Sequence, residues 1–271
     1  MIKKKSLGQH FLHSSKIIGD IVSAGKVEKK DTILEIGTGE GTLTSVLLET
    51  GAKVVSVEKD DQLIPILQEK FKKEINSKQL TLVHADILNM NLLTLRVSKY
   101  KVVANIPYYI TGQIIRKFLD TKNQPQSMTL LVQKEVAERI VAKNKKESLL
   151  SLSVKAYGQP RIVRAVGRGA FSPQPNVDSA VLIIENISKA NFKKITEKNF
   201  FEVLHAGFAH KRKQFLANLN KDLLTLRVSK SWKKDVLIKA FKNCGIDLRA
   251  RAEDLSIEKW FKLCGHLIST E

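Results

Sequence analysis

From Thr32 onward, short apolar runs alternate with longer stretches whose apolar positions recur three or four residues apart. Thr32–Ile36, Val54–Glu58, Leu80–His84, Lys101–Asn105 and Met128–Val132 are short apolar runs that all read as buried strands. Between them, Gln62–Ile75 and Thr111–Leu119 carry helical spacing. Strand and helix in this rhythm predict an α/β fold, with right-handed crossovers and a mostly parallel sheet. Arg161–Val166 and Ser179–Glu185 add two strands expected to close it on an antiparallel edge.

After Ile187 the strand signals stop. Ala190–Leu219, Ser231–Cys244 and Ser256–Leu267 are basic and helical in spacing, and the basic excess per residue about doubles. The pattern therefore predicts two domains, 1–188 with the sheet and 189–271 small and all-helical. One octapeptide, Leu92–Lys99, recurs identically as Leu223–Lys230. A solenoid would repeat throughout at a fixed period, and this segment does not.

Charge narrows the partners. The 271 residues hold 46 Lys and Arg against 27 Asp and Glu, a formal charge of +19. That balance favours nucleic acid or another polyanion. Cys244 and Cys264 form no C-x-x-C pair and stand beside no clustered His, which argues against a disulfide-built fold or a zinc ribbon; no metal is expected. The basic Lys3–Lys5 precede no signal-like apolar segment, and no apolar run approaches the ~20 residues that span a bilayer. A soluble, cytoplasmic protein is the expectation.

The chemistry concentrates at the ends of the predicted strands. Glu35-Ile36-Gly37-Thr38-Gly39-Glu40-Gly41 follows the first strand and opens a helix near Thr42, so its glycines permit a sharp turn and close approach of a ligand to unpaired N–H groups. Glu58 ends the second strand 21 residues beyond Gly37, where an acidic side chain accepts from ribose hydroxyls. The loop reads G-x-G-x-G rather than the dinucleotide fingerprint G-x-G-x-x-G, which disfavours a pyrophosphate and a dehydrogenase. Asp86 ends the third strand, where it serves either an adenine amine or the N-cap of the following turn. Adenine and ribose with little phosphate describe S-adenosylmethionine.

The fourth strand ends in Asn105-Ile106-Pro107-Tyr108. An exocyclic base amine is a poor nucleophile because its lone pair is delocalised into the ring. If the Asn105 side-chain oxygen and the carbonyl of Ile106 or Pro107 accept its two N–H bonds, the nitrogen can pyramidalise toward a sulfonium methyl. Tyr108 offers a stacking face to an extruded base, worth ~1–3 kcal/mol.

On these residues the chain resembles the ribosomal RNA adenine N6-dimethyltransferases, closest to those of the small (16S) subunit. The resemblance also includes Leu7–Leu12, Val132–Arg139, Phe171–Ser179, Phe208–Lys213 and Arg251–Leu255. It implies a Rossmann-like class I methyltransferase domain, a helical RNA-binding domain, and transfer of four methyls to two adjacent adenines near the 3′ end of 16S ribosomal RNA by a monomer that also serves small-subunit biogenesis. It further implies cofactor contacts from His10, Leu12, Gly37, Gly39, Glu58, Asp86 and Asn105. Phe171 is implied to face Tyr108 across the target adenine. In the basic helical domain, the cluster Lys211, Arg212 and Lys213 is expected to bind RNA phosphates.

Two departures stand out. Position 10 is His where the family usually has Asn, and Ala142–Ser148 lacks the family's Pro- or Gly-containing loop. The alternatives are a 23S ribosomal RNA dimethyltransferase conferring macrolide resistance and an RNA-binding assembly factor whose methylation is secondary. Val132–Arg139 and Asp178–Val181 favour the small-subunit enzyme, and the presence of Glu58, Asp86 and Asn105 disfavours a dead pocket.

Overall fold

The computed structural model describes residues 10–95, 97–221 and 232–269. The second copy of the octapeptide, Arg96 of the first, and Leu7–Gln9 lie outside the described residues. Two compact units are present, one formed by residues 1–138 and 158–187, the other by 139–157 and 188–271.

The first unit opens with β1 (Phe11–Leu12) and α1 (Ser15–Ala24), followed by β2 (Thr32–Ile36), α2 (Thr42–Glu49), β3 (Lys53–Glu58), α3 (Ile64–Lys70), α4 (Lys72–Asn76), β4 (Leu80–His84), β5 (Lys101–Asn105), α5 (Thr111–Asp120) and β6 (Met128–Gln133). α6 (Lys134–Val141) leaves the sheet, α7 (Leu149–Lys155) belongs to the second unit, and the chain returns to the first with β7 (Gln159–Val166), β8 (Phe171–Ser172) and β9 (Ser179–Glu185). The main sheet runs β4-β3-β2-β5-β6-β9-β7. Its first five strands are parallel, and β9 joins antiparallel to both β6 and β7, the edge the apolar runs predict. Because the parallel strands share one direction, the residues following Ile36, Glu58, His84 and Asn105 emerge at one edge. Strand order reverses between β2 and β5, the place where such sheets open a ligand crevice.

The helix predicted over Gln62–Ile75 is instead two, α3 and α4. The chain breaks at Phe71 (φ −110°, ψ 25°), whose buried ring packs beneath Gly41. Helical spacing alone could not report a break set by a ring's distant partner.

The second unit adds α8 (Glu197–Gly207), α9 (Phe215–Lys221), α10 (Lys234–Asn243) and α11 (Ile257–Ser269). Phe200, Phe215, Phe241 and Trp260 are fully buried at its centre. The stretch predicted as helical over Ala190–Leu219 divides into a single 3-10 turn at Ala190–Phe192, α8 and α9. Thr196 caps α8 by accepting from the Asn199 N–H. Gly207 ends that helix where its Cα meets the rings of Phe215 and Trp260 with no room for a Cβ. Asn218 closes the turn by donating to the carbonyls of Gly207 and His210, at 2.6 and 3.2 Å.

The sequence puts the change of texture near residues 187–190, whereas residues 139–157 group with the helices beyond it. Tyr157 explains why: its hydroxyl donates to Glu197 at 2.8 Å and its ring lies 5.1 Å from that of Phe192. The unusual loop 142–148 is held in the same unit, with Lys146 paired to Asp254 and the Glu147 N–H donating to the Glu253 carbonyl at 2.8 Å.

Candidate active site

A cleft opens at the carboxyl edge of β2, β3, β4 and β5. Its floor is the glycine turn after β2, where Gly37, Gly39 and Gly41 all have positive φ (74°, 56° and 77°), a conformation costly for any residue with a Cβ. The Gly37 N–H donates to the Val57 carbonyl at 2.8 Å and the Gly39 N–H to Glu58 Oε2 at 2.9 Å, which ties the turn to β3.

Behind the turn lies a buried polar relay. Thr38 Oγ1 and Ser56 Oγ are 2.6 Å apart, and Ser56 donates in turn to Glu35 Oε2 at 2.7 Å. Ser56 has one hydroxyl proton, so Thr38 must be the donor to it. Thr44, in the first turn of α2, donates to the same Glu35 oxygen at 2.7 Å. Burial raises the Glu35 carboxyl to about 7, outweighing the two hydroxyls that lower it.

Glu58 Oε1 accepts the N–H groups of Lys59 and Asp60, both at 2.8 Å. Its Oε2, which among the described residues accepts only the Gly39 N–H, keeps a lone pair for a ligand hydroxyl. Asp86 Oδ1 accepts the Leu88 N–H at 2.9 Å, the turn-capping role, while Oδ2 accepts the Lys59 ammonium at 2.8 Å. The Lys59 hydrogen bond holds the Asp86 carboxyl below its usual range.

Asn105 ends β5 beside the glycine turn. Its Nδ2 donates to the main-chain carbonyl of His10 at 3.2 Å. A carbonyl can only accept, so this bond fixes the amide and leaves Oδ1 as the acceptor. The Pro107 carbonyl accepts the Ile110 N–H at 3.2 Å and closes the 3-10 turn of Tyr108–Ile110. The Tyr108 hydroxyl lies 2.5 Å from that of buried Ser179 at the start of β9, and burial raises its phenol. Its ring stacks near that of His10, with centroids 5.8 Å apart and planes 22° apart. Tyr109 stands largely in solvent at the mouth.

His10, Leu12, Gly37, Gly39, Glu58, Asp86, Asn105, Ile106, Pro107 and Tyr108 all line this one cleft. Phe171 does not. It is 5% exposed, pairs with Leu12 between β8 and β1, and packs in the apolar core with Val166 and Val181. The ring that faces Tyr108 is His10's, whose Nδ1 donates to the Pro173 carbonyl at 2.8 Å. Lys211, Arg212 and Lys213 belong to the other unit, exposed on the turn between α8 and α9. The sequence reading missed the relay Thr38–Ser56–Glu35–Thr44 and Ser179. Its available signal was a polar residue inside an otherwise apolar strand, as Glu35 is in Thr32–Ile36 and Ser56 in Lys53–Glu58.

Among the described residues, the charged side chains lining the cleft are Glu40, Glu58, Asp86 and Lys59. That acidic balance suits a sulfonium cation and opposes a pyrophosphate.

The chain matches a family model described as ribosomal RNA adenine dimethylase over residues 2–268. It is 42% identical over 264 residues to a Dehalococcoides mccartyi protein named ribosomal RNA small subunit methyltransferase A, covering 96% of this chain and 87% of that one. A protein of the same name from Clostridium botulinum is 41% identical, with coverage of 96% and 92%. Among solved structures, a dimethyladenosine transferase from Plasmodium falciparum superposes with a TM-score of 0.79 at 26% identity, over 94% of this chain and 96% of that one. The 23S ribosomal RNA methyltransferase ErmE, at 24% identity and a TM-score of 0.74 over 95% and 99%, shares the fold. The chain belongs to the ribosomal RNA adenine dimethylase family, whose members are methyltransferases.

Proposed function

We propose that this protein dimethylates N6 of two adjacent adenines near the 3′ end of small-subunit ribosomal RNA, with S-adenosylmethionine as methyl donor. The observation that carries the reading is the fixed amide of Asn105, whose donor half is committed to His10 and whose Oδ1 is the remaining acceptor. Asn105 Oδ1 accepts one N–H of the target amine. The Ile106 carbonyl, directly after Asn105 and without the main-chain bond that the Pro107 carbonyl gives Ile110, accepts the other. In the first transfer two acceptors on one nitrogen draw its lone pair out of conjugation with the ring and aim it into the cleft, and the one N–H that remains after it keeps one acceptor for the second. Tyr108, anchored through Ser179, supplies a fixed face for the extruded base.

Glu58 holds the ribose hydroxyls, Asp86 the adenine amine, and the Gly37–Gly39 turn admits the ligand close to the backbone. When bound, the sulfonium supplies an electrophilic methyl carbon. The amine proton leaves once the nitrogen has gained its methyl, so the acceptors need not be strong bases.

RNA is held by phosphate contacts from Lys211, Arg212 and Lys213. The A-form major groove is too narrow for side chains, so shape and backbone rather than sequence guide this unit. The Phe215 N–H donates to the Ala250 carbonyl at 2.9 Å, which brings the exposed Arg249 and Arg251 toward the same turn. The protein acts in the cytoplasm, where small subunits are assembled.

Purified protein, radiolabelled S-adenosylmethionine and each ribosomal subunit from cells lacking it test the reading. Label in two adjacent adenines of small-subunit RNA is expected. Label confined to the large subunit would overturn it in favour of the resistance enzyme.

A further inference from the structure

Among the described residues, Lys59 is the lysine in the lining of the cleft, and it directly follows Glu58 at the end of β3. Its Nζ donates to Asp86 Oδ2 at 2.8 Å, and the Asn89 amide donates to the same oxygen at 3.3 Å. Both lone pairs of Oδ2 are thereby engaged. Oδ1 holds one N–H, from Leu88, and keeps one lone pair. An ammonium has three donors, of which this ion pair uses one.

The pair therefore presents a free acceptor on Asp86 beside free donors on Lys59. A purine edge carrying a 6-amino group shows the complementary pattern, an N–H donor flanked by ring-nitrogen acceptors. A 6-oxo base replaces that donor with an acceptor and leaves the Asp86 oxygen facing another oxygen.

We propose that Lys59 is a specificity residue for the cofactor's nucleobase, donating from Nζ to a ring nitrogen beside the exocyclic amine while Asp86 Oδ1 accepts from the amine. Lys59 keeps its bond to Asp86 throughout, so one ion pair both aims the carboxylate and reads the base. The inference rests on S-adenosylmethionine as the cofactor.

Titration calorimetry with the full chain tests it, using S-adenosylhomocysteine and its 1-deaza and 7-deaza analogues, each lacking one of the two candidate ring nitrogens. The wild type is expected to lose about fivefold or more in affinity for one of the two analogues. Lys59→Met is expected to bind the parent compound weaker by a similar factor and to show no further loss with that same analogue. Its side chain is 56% exposed, so an unchanged thermal transition should verify the fold. Equal losses for wild type and variant with both analogues would overturn the proposal and leave Lys59 as a solvated partner of Asp86. Failure of the wild type to bind S-adenosylhomocysteine at all would overturn the cofactor reading itself, and this inference with it.

Discussion

The three glycines of the turn after β2 share a left-handed backbone but not a neighbourhood, and that difference separates folding from binding. A Cβ at Gly41 would sit 2.5 and 2.8 Å from ring atoms of Phe71 and 3.2 Å from Leu67 Cδ2. Both are buried, so the ring cannot swing into solvent. Gly41→Ala then costs ~1–2 kcal/mol for the left-handed residue and ~1–3 kcal/mol for overpacking, about 2–5 kcal/mol together. At Gly37 the nearest atom to a Cβ is the Asn105 carbonyl oxygen at 3.7 Å, an ordinary contact, so Gly37→Ala carries only the backbone cost of ~1–2 kcal/mol. Its methyl, however, lies between the turn and Asn105, on the floor of the cleft. Urea unfolding and calorimetric titration with S-adenosylhomocysteine distinguish the two. Gly41→Ala is expected to lose stability first. Gly37→Ala is expected to remain folded and bind at least about tenfold more weakly. A Gly37→Ala protein with wild-type affinity, or one as destabilised as Gly41→Ala, would refute this placement of the cofactor.

Three further outcomes follow from the structure. Glu35 keeps its proton up to about pH 7 when folded but releases it near the ordinary 4.5 when unfolded, so its contribution to stability falls as pH rises through that window. Glu35→Gln should reduce the loss of stability between pH 5 and 8 by about 3 kcal/mol at most, and a variant with the full wild-type decline would exclude the raised carboxyl. Phe171→Ala should cost ~3–5 kcal/mol in a urea titration because the ring is core. A variant of wild-type stability that has lost methylation would instead make Phe171 the second face of the base, as the resemblance implies. Replacing Lys211, Arg212 and Lys213 together with Ala should weaken RNA binding and reduce the slope of log K against log salt by about 2–3, and an unchanged slope would remove them from the interface.

The sheet was legible because its central strands are buried on both faces and leave continuous apolar runs, as in Met128–Gln133. The antiparallel closure by β7 and β9 was equally visible. Interruptions set by partners distant in the chain were not: Phe71 divides α3 from α4 beneath Gly41, and Gly207 stops α8 against Phe215 and Trp260. In the site, strand-end spacing brought Gly37, Glu58, Asp86 and Asn105 to one edge, since parallel strands force it. It could not supply the orientation of the Asn105 amide, which depends on the His10 carbonyl 95 residues earlier. Nor could it show that Phe171 lies in the core, because an aromatic before a Pro-x-Pro loop fits either environment.

Asn105 Oδ1 as an acceptor for the target amine is the centre of the mechanism, and single-turnover methylation by Asn105→Ala is the direct measurement. At saturating RNA and cofactor, the rate is expected to fall by about 10²–10³, with RNA affinity within a few-fold of wild type. A variant that transfers methyl within about threefold of the wild-type rate under those conditions would contradict the mechanism.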